Sequence, residues 1–100
     1  MKSSGIPRHG RRDENEDVIV YALRAAGADV EFLSAASVPD LLVGYQGNNY
    51  LVEIKTDKGR LSKGQKEWHD EWRGGKPVVI RSIDDVVEWL TQLSRQEQRS

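Results

Sequence analysis

The spacing of apolar residues changes several times along the chain, and each change marks an element. Over residues 13–26, Ile19, Ala22, Leu23 and Ala26 recur at three and four positions, which predicts an amphipathic helix. Acidic residues crowd its first turn, as suits the helix dipole, and Gly27 is the natural stop. Residues 29–35 predict a first strand with Val30 and Phe32 on one face. Small residues, Ser34 to Ser37, then lead through Pro39 into two apolar runs either side of Gly47-Asn48, the signal of a two-residue hairpin loop. Ser62 with Gln65 three positions on is a capping box, so a second helix opens there and ends at Gly74-Gly75. Trp68 and Trp72 share the Gln65 side of that helix, as core or as a dimer interface, whereas His69 falls off the stripe and is expected in solvent. Pro77 to Ile80 is a short strand. Ser82 with Asp85 caps a last helix reaching about Leu93, with Val86, Val87, Leu90 and Leu93 on its core side and Trp89 near the boundary.

The predicted order is therefore helix, three strands, helix, strand, helix, an α/β chain. The first three strands can run as an antiparallel meander, and a helical crossover brings the fourth alongside in a mixed four-stranded sheet. Both hairpin faces carry apolar residues, so helices must cover both sides of the sheet. Residues 1–12 read as a flexible basic arm, 13–93 as a single domain and 94–100 as a polar tail. No internal repeat or linker is visible.

The hairpin also carries charge in a pattern that apolar strands do not need. With Gly47-Asn48 as the loop, Gln46 faces Asn49, Leu42 faces Glu53 and Asp40 faces Lys55. Alternation then puts Asp40, Glu53 and Lys55 on one face and Leu41, Val43, Val52 and Ile54 on the other. Charges so placed are costly unless they pair or bind a metal. Two carboxylates beside the Ile54 backbone carbonyl suit a hard divalent cation, Mg2+ or Mn2+. Lys55 is then placed to hold an attacking water or to stabilise charge developing on a phosphate.

Composition narrows the context. The chain has 100 residues, which predicts one domain with no room for a separate recognition domain. It has no cysteine, so neither a disulfide framework nor a thiolate zinc site is available, as fits a reducing cytosol. The basic, polar start has no apolar stretch of a secretory signal, and no run is long enough to cross a bilayer, so no membrane partner is expected. Formal net charge is −1, so phosphate binding would rest on local charge. The bases gather in the N-terminal arm, where Arg11 and Arg12 stand, and between Lys55 and Arg81. The arm either touches nucleic-acid phosphates or stays solvated, and the same two readings apply to Lys58 and Arg60.

Pro39-Asp40 followed by Glu53-Ile54-Lys55 resembles the signature of the PD-(D/E)XK nucleases, and Gly59-Arg60-Leu61-Ser62-Lys63-Gly64-Gln65 resembles the virus-type replication-repair nuclease (VRR-NUC) branch. The resemblance covers roughly residues 12–93. It implies a restriction-endonuclease-like core, a cytoplasmic enzyme of a bacterial or phage-infected cell, and a Mg2+- or Mn2+-dependent deoxyribonuclease. It also implies a glutamate from the first helix at the metal, directly or through water. Distance from Gly27 fits Glu16 best and Glu14 less well, and the helical period puts Glu16 on the Ile19–Leu23 side. A glutamine at the Gln65 place commonly sits at the edge of the active site in this family, a role that stands beside capping. Lys58, Arg60 and Lys63 are the expected DNA contacts of that loop and helix start.

Small stand-alone members of the branch act as Holliday-junction resolvases, often as homodimers, so branched DNA is the expected substrate. A flap or nicking nuclease is the close alternative. A non-catalytic nucleic-acid-binding module and a structural or partner-binding domain are readings from other classes. Both predict no metal affinity at the Asp40–Glu53 face.

Overall fold

The computed structural model describes the backbone of residues 10–99 and the side chains of residues 15–96. Seven elements follow the predicted order: α1 (Gly10–Ala25), β1 (Asp29–Phe32), β2 (Leu41–Tyr45), β3 (Asn48–Ile54), α2 (Lys63–Glu71), β4 (Val78–Ile80) and α3 (Ile83–Arg99). They build one sheet in the order β1-β2-β3-β4. The first two pairings are antiparallel, and β4 joins β3 in parallel after the α2 crossover.

The helix ends follow local chemistry. α1 begins three residues before the expected start, so the backbone of residues 10–12 is helical rather than part of an arm. It closes on a Schellman turn: Gly27 takes φ +99°, Ala28 N–H reaches the Leu23 carbonyl at 3.0 Å, and Gly27 N–H reaches the Arg24 carbonyl at 3.0 Å. α3 continues past Leu93 to Arg99, through the stretch expected to fray. Residues 94–99 contain no glycine or proline and are rich in good helix formers, so nothing in them stops the helix.

The core lies on one face of the sheet. Val30, Leu41, Val43, Val52, Ile54 and Ile80 pack with Ile19, Val20 and Leu23 of α1 and with Val86, Trp89 and Leu90 of α3. Ile19, Leu23 and Leu41 are fully buried, so cutting any of them to alanine costs about 2–5 kcal/mol. Trp89, placed near the boundary by its helical phase, is buried and meets Tyr50 edge-on with ring centroids 5.3 Å apart. Val87, expected on the core side, is exposed. Phe32 lies at the end of edge strand β1 and is exposed, with the Arg24 guanidinium 5.9 Å from its ring centre.

The hairpin turn falls one residue earlier than expected. Gln46 and Gly47 both have positive φ, 51° and 86°, the signature of a type I′ turn. Tyr45 therefore pairs with Asn48, Leu42 with Leu51 and Leu41 with Val52. Moving a two-residue loop by one position moves every partner by two, so each side chain keeps its face. The shift replaces the expected Leu42–Glu53 pairing with Leu42–Leu51. Continued past the end of β2, it sets Asp40 opposite Glu53 instead of Lys55.

Candidate active site

The charged face of the hairpin lies under α2. Asp40 follows the buried Pro39 and is itself 7% exposed; Glu53 is 1% exposed. The Asp40 carbonyl accepts Leu33 N–H at 2.8 Å, continuing the β1–β2 ladder. Its side-chain Oδ2 accepts the backbone N–H of Ile54 at 2.8 Å, which fixes this carboxylate against the end of β3.

Gln65 ties the site together. As the third residue of α2 it completes the capping box, with its N–H on Ser62 Oγ at 3.1 Å and its Oε1 on Ser62 N–H at 2.9 Å. The same Oε1 accepts from Lys55 Nζ at 2.8 Å, while Nε2 donates to Glu53 Oε2 at 3.3 Å. The capping role is thus met, and the same side chain touches both Lys55 and Glu53. The residue that starts the helix also bridges the acid and the ammonium.

The start of α2 comes close to the loop before β2. A Cβ on Gly64 would lie 2.6 Å from Ser37 Oγ, and Ser37 itself has φ +68°. The small residues of that loop therefore admit the helix, a use that their size alone did not reveal.

α1 reaches the site through Asn15. Its Nδ2 donates to the Lys55 carbonyl at 2.7 Å and lies 3.5 Å from the Arg81 carbonyl, joining α1 to the ends of β3 and β4. Glu16 beside it is buried and Asp17 is exposed, as the helical period predicts. The side chains of Asp13 and Glu14 lie outside the described residues, as do those of Arg11 and Arg12. Among the described residues, no three of the acids, histidines or cysteines stand together to hold a metal ion. Asp40 and Glu53 are the two carboxylates that could hold one, with main-chain oxygen completing the set. An all-oxygen set with two carboxylates fits Mg2+ or Mn2+, which keep several waters.

Lys58, Arg60 and Lys63 are exposed around the loop that follows β3. Arg81 donates from Nη1 to the carbonyls of Thr56 at 2.8 Å and Gly59 at 2.6 Å, so it holds this loop in shape.

His69 departs from the sequence expectation. It is buried, and its Nε2 lies 3.4 Å from Glu53 Oε1. At about 100° per residue, a residue four positions on lies about 40° round the helix from Gln65, nearer than Trp68 at about 60°. The phase therefore contained this signal. Burial pushes the imidazole below its ordinary pKa; the Lys55 and Lys76 ammoniums push the same way, against Asp70. The ring is accordingly neutral near pH 7, and its contact with Glu53 is a hydrogen bond in which Nε2–H donates. Asn15 was also missed, although it directly precedes Glu16 in sequence.

No protein-family model and no curated protein matches the sequence. A solved structure described as a VRR_NUC domain superimposes with a TM-score of 0.68, covering 80% of this chain and 94% of that one at 24% identity. Among the described residues, no helix is long and apolar enough to cross a membrane. With the same element order, the mixed four-stranded sheet and its flanking helices, the chain has the fold of a VRR-NUC domain.

Proposed function

We propose that this chain is a divalent-metal-dependent endonuclease that hydrolyses DNA phosphodiester bonds. The observation that carries the reading is one hydrogen-bonded unit, in which Gln65 links the buried Glu53 carboxylate to the Lys55 ammonium. Asp40 lies beside it on the same hairpin face. In this reading Asp40, Glu53 and the Ile54 carbonyl hold Mg2+ or Mn2+. Once bound, the ion polarises the scissile phosphate and lowers the pKa of a water. Lys55 Nζ, held by Gln65, orients the attacking water or faces the charge growing on the phosphate. Lys58, Arg60 and Lys63 take neighbouring phosphates, and Arg11 and Arg12 are further proposed DNA contacts, whose side chains lie outside the described residues.

Glu16 is the first-helix acid in this scheme. Glu16→Gln is expected to lower cleavage at least about tenfold, the scale of removing a group that supports bound metal, whereas Asp17→Asn leaves it unchanged. Single-turnover rates on one DNA substrate compare the two, and equal sensitivity would remove Glu16 from the site.

The finer assignment is a junction-resolving homodimer. A four-way junction has two-fold symmetry and requires two cuts, which a two-fold dimer supplies. Trp89 is in the core and is not part of a surface offered for pairing. Trp68 and Trp72 remain, stacked at 4.6 Å, with Trp72 43% exposed. The test is cleavage of four-way, flap, nicked and linear DNA with Mn2+, alongside sedimentation at micromolar protein. Twice the monomer mass and linear product from a cruciform plasmid are expected. A monomer that accumulates nicked circles would favour the flap or nicking reading, and a chain that binds DNA without cutting any substrate would favour the binding module.

A further inference from the structure

Both oxygens of the Glu53 carboxylate meet side chains of α2. Gln65 Nε2 lies 3.3 Å from Oε2, and His69 Nε2 lies 3.4 Å from Oε1. The two donors are four residues apart, one turn of the same helix face. His69 is itself held in place. Lys76 Nζ donates to its carbonyl at 2.9 Å and to that of Asp70 at 3.1 Å, closing the end of the helix. The edge of its ring meets Trp68, with centroids 6.4 Å apart. A buried imidazole needs a polar partner, and the partner here is the acid of the proposed metal site.

We infer that His69 is a positioning residue: its Nε2–H holds the Glu53 carboxylate in the orientation in which Glu53 binds the divalent ion. The inference rests on the metal-dependent reading above. The Gln65 bond restrains one carboxylate oxygen, and the His69 contact restrains the other, so the pair opposes rotation about the terminal torsion. Outer partners of metal-binding side chains typically contribute about 10- to 100-fold in metal affinity.

The test is calorimetric titration of Mn2+, without DNA, into the wild-type chain and into His69→Leu, His69→Phe, His69→Gln and Asp40→Asn. Circular dichroism establishes which variants are folded, and two apolar replacements guard against one failing to fold. Wild type is expected to bind. The folded apolar variant should bind about 10- to 100-fold more weakly. His69→Gln, which keeps a neutral N–H donor, should recover most of the loss, a rescue that a packing role alone does not give. Unchanged or tighter binding by the apolar variants overturns the inference, as does a glutamine variant as weak as they are. If wild type binds no Mn2+, or Asp40→Asn binds as wild type does, the metal-site reading falls first and this inference falls with it.

Discussion

Asp40→Asn and Glu53→Gln are expected to lose DNA cleavage by on the order of a thousandfold or more, while remaining folded. The size follows from the work assigned to the metal, several kcal/mol of transition-state charge stabilisation, at about 1.4 kcal/mol per tenfold in rate. The persistence of the fold follows from the hydrogen bonds. An asparagine at position 40 keeps a carbonyl oxygen to accept the Ile54 N–H that Asp40 Oδ2 now takes at 2.8 Å. A glutamine at position 53 can present its amide N–H to His69 Nε2 if the neutral ring changes tautomer. Asp40→Ala has no such replacement and leaves the Ile54 N–H unsatisfied, at a cost of about 1–3 kcal/mol. The three variants therefore separate site from scaffold. All three should be inactive in saturating Mg2+, but only the alanine should show a clear drop in denaturant midpoint. Wild-type cleavage by either amide variant would remove that carboxylate from the site.

Lys55→Ala is expected to reduce turnover by about a hundredfold to a thousandfold, the scale of losing one preorganised group at developing charge. Metal affinity should change far less, because an ammonium has no lone pair to give to a metal. The structure adds a local consequence. Gln65 Oε1 loses the Lys55 donor but keeps Ser62 N–H at 2.9 Å, so the capping box and the start of α2 should survive. Single-turnover rates and Mn2+ titration on the same preparation check both halves. A variant that loses metal binding and cleaves normally when metal is forced high would assign Lys55 to holding the ion site rather than to the reaction.

The register of the hairpin shows why a sequence can be misread in detail and still be right about a face. Gly47 was expected to open the loop and instead closes it, with Gln46 ahead of it in the left-handed region. Each residue gained a new partner, yet Asp40, Glu53 and Lys55 stayed on one side, because side chains alternate with period two and the partners moved by two. α2 was less forgiving. Its period of 3.6 leaves residues three and four positions on almost equally close to Gln65, so Trp68 and His69 both lie near its face and only packing decides which turns inward.

By itself the sequence determined the element order, the sheet that both hairpin faces require, the capping box at Ser62 and Gln65, and the shared face of the two acids and the lysine. All of these depend on local spacing, which the backbone enforces whatever packs against it. Only the tertiary structure decided what lies above that face. Gln65 reaches both Lys55 and Glu53, His69 turns inward to Glu53, Asn15 carries α1 to the ends of β3 and β4, and Arg81 serves the loop carbonyls. Those contacts join residues 10 to 66 positions apart. They depend on how helices settle against a sheet, and that is set by the packing of the whole core rather than by any period along the chain.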